Sequence, residues 1–156
     1  MTMKANFTKS IDVVSLKLIR ESNIEVEFDS ITDQHLAIKL FQEQLGLNDR
    51  ETFSVLCLDS KGYPTNYSIA HIGTLNNTII SNREIFKVAV LSNANSIIVA
   101  HNHPSGNGTP SKGDISNTKL IVEAGEILGI KVLDHIIISD TEGVSIRNLY
   151  PHIFEC

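Results

Sequence analysis

The chain has 156 residues, 42% of them hydrophobic, and a formal net charge of −5. That is enough for one domain with its own core, and the acidic balance disfavours broad electrostatic binding to nucleic acid. No run of about 18 apolar residues offers a membrane span, and the N-terminus lacks the apolar segment of a signal peptide, so the expected location is cytoplasmic.

In chain order, residues 1–10 are polar. Val14, Leu16 and Leu18 alternate with Ser15 and Lys17, and Ile24-Glu25-Val26-Glu27-Phe28 alternates cleanly. Both read as strands, an edge hairpin within an N-terminal strand extension over residues 1–29. Ser30 is the candidate N-cap of a helix whose buried face is Leu36, Ala37, Leu40, Phe41 and Leu45, with Gly46 as its stop. Glu51 to Asp59 is apolar on both faces near its end and reads as a central strand. Cys57 lies in that run as a core residue. Cys156 ends the chain, and two cysteines make no disulfide framework.

Asp59 to Gly62 is a turn into a strand from Tyr63 to Ile72. Gly73-Thr74 breaks it, and Thr78-Ile79-Ile80 is a further short strand. Ser81 and Glu84 have the spacing of a capping box for a helix running to about Ala94.

Ser96-Ile97-Ile98-Val99-Ala100 then reads as a buried strand ending in His101-Asn102-His103-Pro104. Residues two apart on a strand share a face, so His101 and His103 can aim two imidazoles at one point. Asn102 alternates away from them. Pro104 stops the strand, and a Pro/Gly loop leads to Asp114. There an apolar-periodic helix runs to Leu128, with Gly129 as its stop and Asp114 at the N-cap position. Val132 to Ser139 is a strand, and Asp140 to Gly143 turns it into Val144-Ser145-Ile146. Asn148 to Cys156 has no readable pattern. The whole reads as one mixed α/β domain, a central mixed sheet flanked by helices.

Two imidazoles and one carboxylate, with the fourth position open, form the usual ligand set of a catalytic zinc. The spacing is His-x-His, seven residues, Ser111, two residues, Asp114. This closely resembles the JAMM (MPN+) metalloprotease signature. His-Asn-His-Pro-Ser-Gly, then Pro110-Ser111 and Asp114, then Asp134-His135-Ile136-Ile137 resembles the RadC-like branch of that superfamily. The resemblance covers roughly Ser30 to Ile146. It implies a single JAB/MPN-like domain over 30–150 with cytidine-deaminase-like layering, in a short form lacking the N-terminal helix-hairpin-helix region of longer RadC-like chains.

It further implies Zn2+ held by His101, His103 and Asp114. Ser111 would help stabilise the oxyanion, and an upstream Glu at the start of a strand would serve as general base. Glu51 fits that place. Glu84 competes, but a capping box already accounts for it. His135 reads as a satisfied core histidine ahead of an outer partner of a ligand, His71 as lining the cleft, and His35 and His152 as surface residues.

Three functions follow as alternatives. The first is a zinc metalloprotease or hydrolase cleaving a peptide or isopeptide amide. The second is a DNA-repair-associated protein processing nucleic acid, which the charge does not support. The third is a non-catalytic MPN-type binding module.

Overall fold

The computed structural model describes residues 9–73 and 80–155. Its five-stranded sheet has the order β2-β1-β3-β4-β5, formed by β1 (Thr52–Leu58), β2 (Pro64–Ile72), β3 (Ser96–Asn102), β4 (Lys131–Ile138) and β5 (Gly143–Ser145). β3 is the central strand and pairs antiparallel with β1 and parallel with β4. All seven residues of β1 and of β3 are buried. That is the physical meaning of their unbroken apolar runs: both faces of the sheet are covered.

One face is covered by α1 (Gln34–Leu45), whose Ala37, Leu40, Phe41 and Leu45 pack on Leu56, Leu58, Ile98, Ala100, Ile136 and Ile138. The other face meets α2 (Asn82–Leu91), α3 (Lys112–Leu128) and the C-terminal segment, through Ile85, Phe86, Ile121, Val122 and Phe154 against Val55, Ile97, Val99 and Ile137. The result is the expected mixed sheet with helices on both sides. Cys57 is fully buried, and burial pushes its thiol up to about 11, which disfavours the thiolate that reactivity requires.

Several sequence expectations need correction. Val13 to Phe28 forms no strand: Val13, Val14 and Leu16 are exposed and pair with nothing in the sheet. Alternation marks a segment able to form a strand, but without a neighbouring edge the backbone groups have no ladder to join. α1 is capped by Asp33, which accepts from the N–H groups of His35 and Leu36, and not by Ser30. Ser81 stands at the N-cap of α2 without a side-chain cap bond, so the capping box does not form. Glu84 pairs instead with Lys87, 2.8 Å away on the exposed face. α3 begins earlier than expected, with Ser111 as N-cap and Asp114 three residues inside.

The unread C-terminus forms the short helix α4 (Ile146–Leu149) and a 3-10 turn, Pro151–Ile153. Asp134 anchors it by accepting from the Ser145 hydroxyl at 2.7 Å and the Arg147 N–H at 3.1 Å. The proposed strand at Thr78-Ile79-Ile80 falls largely outside the described residues, as does Cys156.

Candidate metal centre

His101 and His103 lie at the carboxyl end of β3, on the sheet face that meets α2 and α3. Phe53 on β1 pairs with His101 across the ladder and stacks on its ring, centroids 5.9 Å apart at 10°. Glu51 immediately precedes β1 and His103 immediately follows β3. Glu51, His101 and His103 each offer a ligand atom within 4.8 Å of the other two.

Asp114 approaches from α3. Its Oδ1 is 3.2 Å from His101 Nε2, and its Oδ2 is 3.5 Å from His103 Nε2. The two Nε2 atoms are 3.0 Å apart. The structure therefore brings His101, His103, Asp114 and Glu51 together, while Glu84 lies on the exposed face of α2 with Lys87.

Local chain chemistry explains why these side chains converge. Ser111 and Asp114 form a reciprocal capping box. Asp114 N–H donates to Ser111 Oγ at 3.1 Å, and Ser111 N–H donates to Asp114 Oδ2 at 2.7 Å. This fixes the carboxylate at the first turn of α3, where the helix dipole favours a negative charge. The expected N-cap role thus belongs to Ser111.

The loop between β3 and α3 is held by His103 itself. Its N–H donates to Ile138 O at 2.7 Å, and its carbonyl accepts from Gly106 N–H at 3.0 Å. Gly106 sits at φ +79° beside Asp140, a backbone state that suits glycine. The Nδ1 of His103 is 2.7 Å from the Asn107 carbonyl. A carbonyl only accepts, so Nδ1 carries the proton and the Nε2 lone pair of neutral His103 points at Asp114 and His101.

Behind the site, Asn102 ties β3 to the segment that carries Glu51. Its Oδ1 accepts from Thr52 N–H at 2.7 Å, and its Nδ2 donates to the carbonyls of Asn48 and Arg50 at 3.2 and 3.0 Å. The Glu51 carbonyl accepts from Gly73 N–H at 2.9 Å. His71 is paired with Phe53 and half-buried. His35 and His152 are exposed, as expected.

His135, expected to be an ordinary core histidine, is a correction. It is buried, but its Nε2 is 2.8 Å from His101 Nδ1, so it backs the ligand candidate directly. No local pattern announces this, because β3 and β4 are adjacent only through the α3 crossover, which pairs Val99 with His135.

The electrostatics are those of a cation site. Burial pushes the Asp114 carboxyl up, but hydrogen bonds with His101 and His103, the charge of His101 and the Ser111 contact outweigh it and hold that carboxyl far below the usual carboxylate range. The hydrogen bond with Asp114 raises the His103 imidazole above its ordinary value, against its burial, with further help from Asn107 and Glu51. Burial, with the charge of His101 second, holds His135 well below its ordinary value and keeps it neutral. Two imidazole nitrogens and two carboxylate oxygens converge here, and a cation between them would relieve the repulsion of their lone pairs. The donor set suits zinc, which takes imidazole nitrogen and carboxylate oxygen together.

A family model described as a RadC-like JAB domain matches residues 31–150. The chain belongs to the RadC-like JAB domain family. Among its relatives, a UPF0758 protein of Caldanaerobacter subterraneus subsp. tengcongensis is 44% identical over 126 residues, covering 81% of this chain and 54% of that protein. A UPF0758 protein of Desulforamulus reducens is 49% identical, over 70% of this chain and 48% of its own length. The chain thus spans about half the length of these curated relatives. As a RadC-like JAB domain with clustered Glu51, His101 and His103, it carries a group able to hold a metal ion. Among the described residues no helix is long and apolar enough to cross a membrane.

Proposed function

We infer that this RadC-like JAB domain is a zinc-dependent hydrolase of the JAMM type, cleaving a peptide or isopeptide amide. One observation carries the reading: the Nε2 atoms of His101 and His103 lie 3.0 Å apart, and each faces one carboxylate oxygen of Asp114, at 3.2 and 3.5 Å. His101, His103 and Asp114 would hold the ion, with the second oxygen of Asp114 still anchored by Ser111 N–H. Zinc would lower the pKa of a water to about 7 and polarise the scissile carbonyl.

Glu51 is placed by Asn102 and Gly73 at the rim of this cluster. Its carboxylate would take the proton of the attacking water and pass it to the departing amine. Ser111 is exposed, and its Oγ accepts from Asp114 N–H, so its hydroxyl hydrogen is left to donate to the oxygen that gains charge as the carbonyl is attacked.

The test separates ligand from base. Protein purified without chelator should carry one zinc per chain, lost in His101→Ala, His103→Ala and Asp114→Ala. Glu51→Gln should keep its zinc and lose hydrolysis of a panel of peptide and isopeptide-linked substrates. Loss of zinc in Glu51→Gln would make Glu51 a ligand instead. Wild-type protein without any bound divalent ion would end the reading.

A further inference from the structure

We propose that Thr118 and His135 form a positioning relay that fixes which nitrogen of His101 carries its proton, and so keeps a lone pair on Nε2 for the ion. The relay rests on the metal-centre reading above and adds to it Thr118, one turn beyond Asp114 on α3, and His135 on β4.

Counting donors and acceptors decides its direction. The Thr118 hydroxyl has one hydrogen and two close neighbours, the Asp114 carbonyl at 2.6 Å and His135 Nδ1 at 2.7 Å. A carbonyl only accepts, so the Thr118 hydrogen goes to Asp114 O. His135 Nδ1 must then carry a hydrogen and donate it to Thr118 Oγ1. The Nε2 of neutral His135 is left with a lone pair, 2.8 Å from His101 Nδ1. His101 Nδ1 must therefore be the protonated nitrogen, and His101 Nε2 the bare one, facing Asp114 Oδ1.

The opposite polarity leaves Thr118 Oγ1 and the Asp114 carbonyl 2.6 Å apart with no hydrogen between them. It would also give His101 its proton on Nε2, which could then donate to Asp114 Oδ1 but could not bind an ion.

The chain of bonds starts and ends on the site. It runs from the backbone of Asp114 through Thr118 and His135 to His101, whose Nε2 faces the side chain of the same Asp114. Thr118, His135 and His101 are at most 1% exposed. Phe53 closes the outside, stacked on His101 and edge-on to His135 with centroids 5.4 Å apart. Water has no access with which to scramble the pattern, so the tautomer is set by the fold. His103 obtains the same result more simply, from the Asn107 carbonyl.

The experiment uses the full chain. Long-range proton–nitrogen correlation on the metal-free, nitrogen-15-labelled protein should show His101 protonated at Nδ1 and His135 at Nδ1. Zinc titration against a chromophoric chelator should show His135→Leu weakened about 10–100-fold. His135→Gln should recover most of that loss, because its Oε1 can accept where His135 Nε2 did. Thr118→Val keeps the side-chain shape, and its His101 and His135 signals should spread over both tautomers.

The relay is overturned if neutral wild-type His101 carries its proton on Nε2 with Nδ1 bare, or if His135→Leu and Thr118→Val both bind zinc as wild type does. Should His135→Leu fail to fold, Thr118→Val and the wild-type spectrum still decide. A wild-type chain that takes up no zinc would sink the metal-centre reading instead, while the metal-free nitrogen signals would still report on the relay.

Discussion

At the residue scale, the site depends on side chains that do no chemistry. Asn102 satisfies one buried N–H and two carbonyls around Glu51 with a single amide. Asn102→Ala should cost about 1–3 kcal/mol, the usual penalty for stranding buried polar groups. It should also release Glu51 from its place, which a lower denaturation midpoint and a loss of hydrolysis greater than the loss of zinc would show.

Zinc binding should depend on pH through His103, because only the neutral imidazole is a ligand. The raised proton affinity of His103 means that, as pH falls through that raised value, each ion bound must displace a proton. Apparent affinity should then drop by up to about tenfold per pH unit for one proton displaced. Calorimetry in two buffers of different ionisation enthalpy would show the released proton. The metal-free chain has its own dependence. A raised histidine contributes stability that is full below the unfolded value near 6.5 and is lost as pH rises through the folded one.

His101, His103 and Asp114 were legible because a two-residue repeat at a strand end and an acidic residue opening a helix are local signals. His135 was not. Its meaning depends on a parallel strand pair made by a crossover, and nothing within several residues of Asp134-His135 encodes that neighbour.

At the element scale, α3 does two jobs, since its first two turns carry Asp114 and Thr118 and its last turn packs on β4. Gly125 makes the second possible. A Cβ there would lie 2.5 Å from the Ile130 carbonyl oxygen and 2.9 Å from Val132 Cγ2. Gly125→Ala should therefore cost about 1–3 kcal/mol by overpacking. Urea unfolding with an unchanged slope would measure it.

Sequence reasoning found α1, α2, α3 and the five strands of the sheet from periodicity. It misplaced caps, taking Ser30 for Asp33 and Asp114 for Ser111, because several residues near each helix start have the chemistry of a cap. Only the backbone turn selects among them. The N-terminal strands failed for the reverse reason. Val14, Leu16 and Leu18 have a strand's pattern, but pattern does not supply a partner edge.

At the scale of the whole molecule, the described residues divide into an exposed leading segment and a doubly covered sheet. Residues 9–26 contain no assigned helix or strand and are almost all exposed. Their amides should exchange with solvent within seconds, while those of β1 and β3 should exchange only with global unfolding. Slow exchange in residues 13–19 would show that this segment finds a partner in solution.

β3 carries His101 near its end with His103 just beyond it, and its other residues are locked between two apolar layers. The fold should therefore form without an ion at this site, unlike small domains that assemble only around zinc. Stripping the protein with a strong chelator should leave its circular dichroism unchanged and lower its melting temperature only by the linkage energy of the lost ligand. Reloading should then be fast and need no refolding.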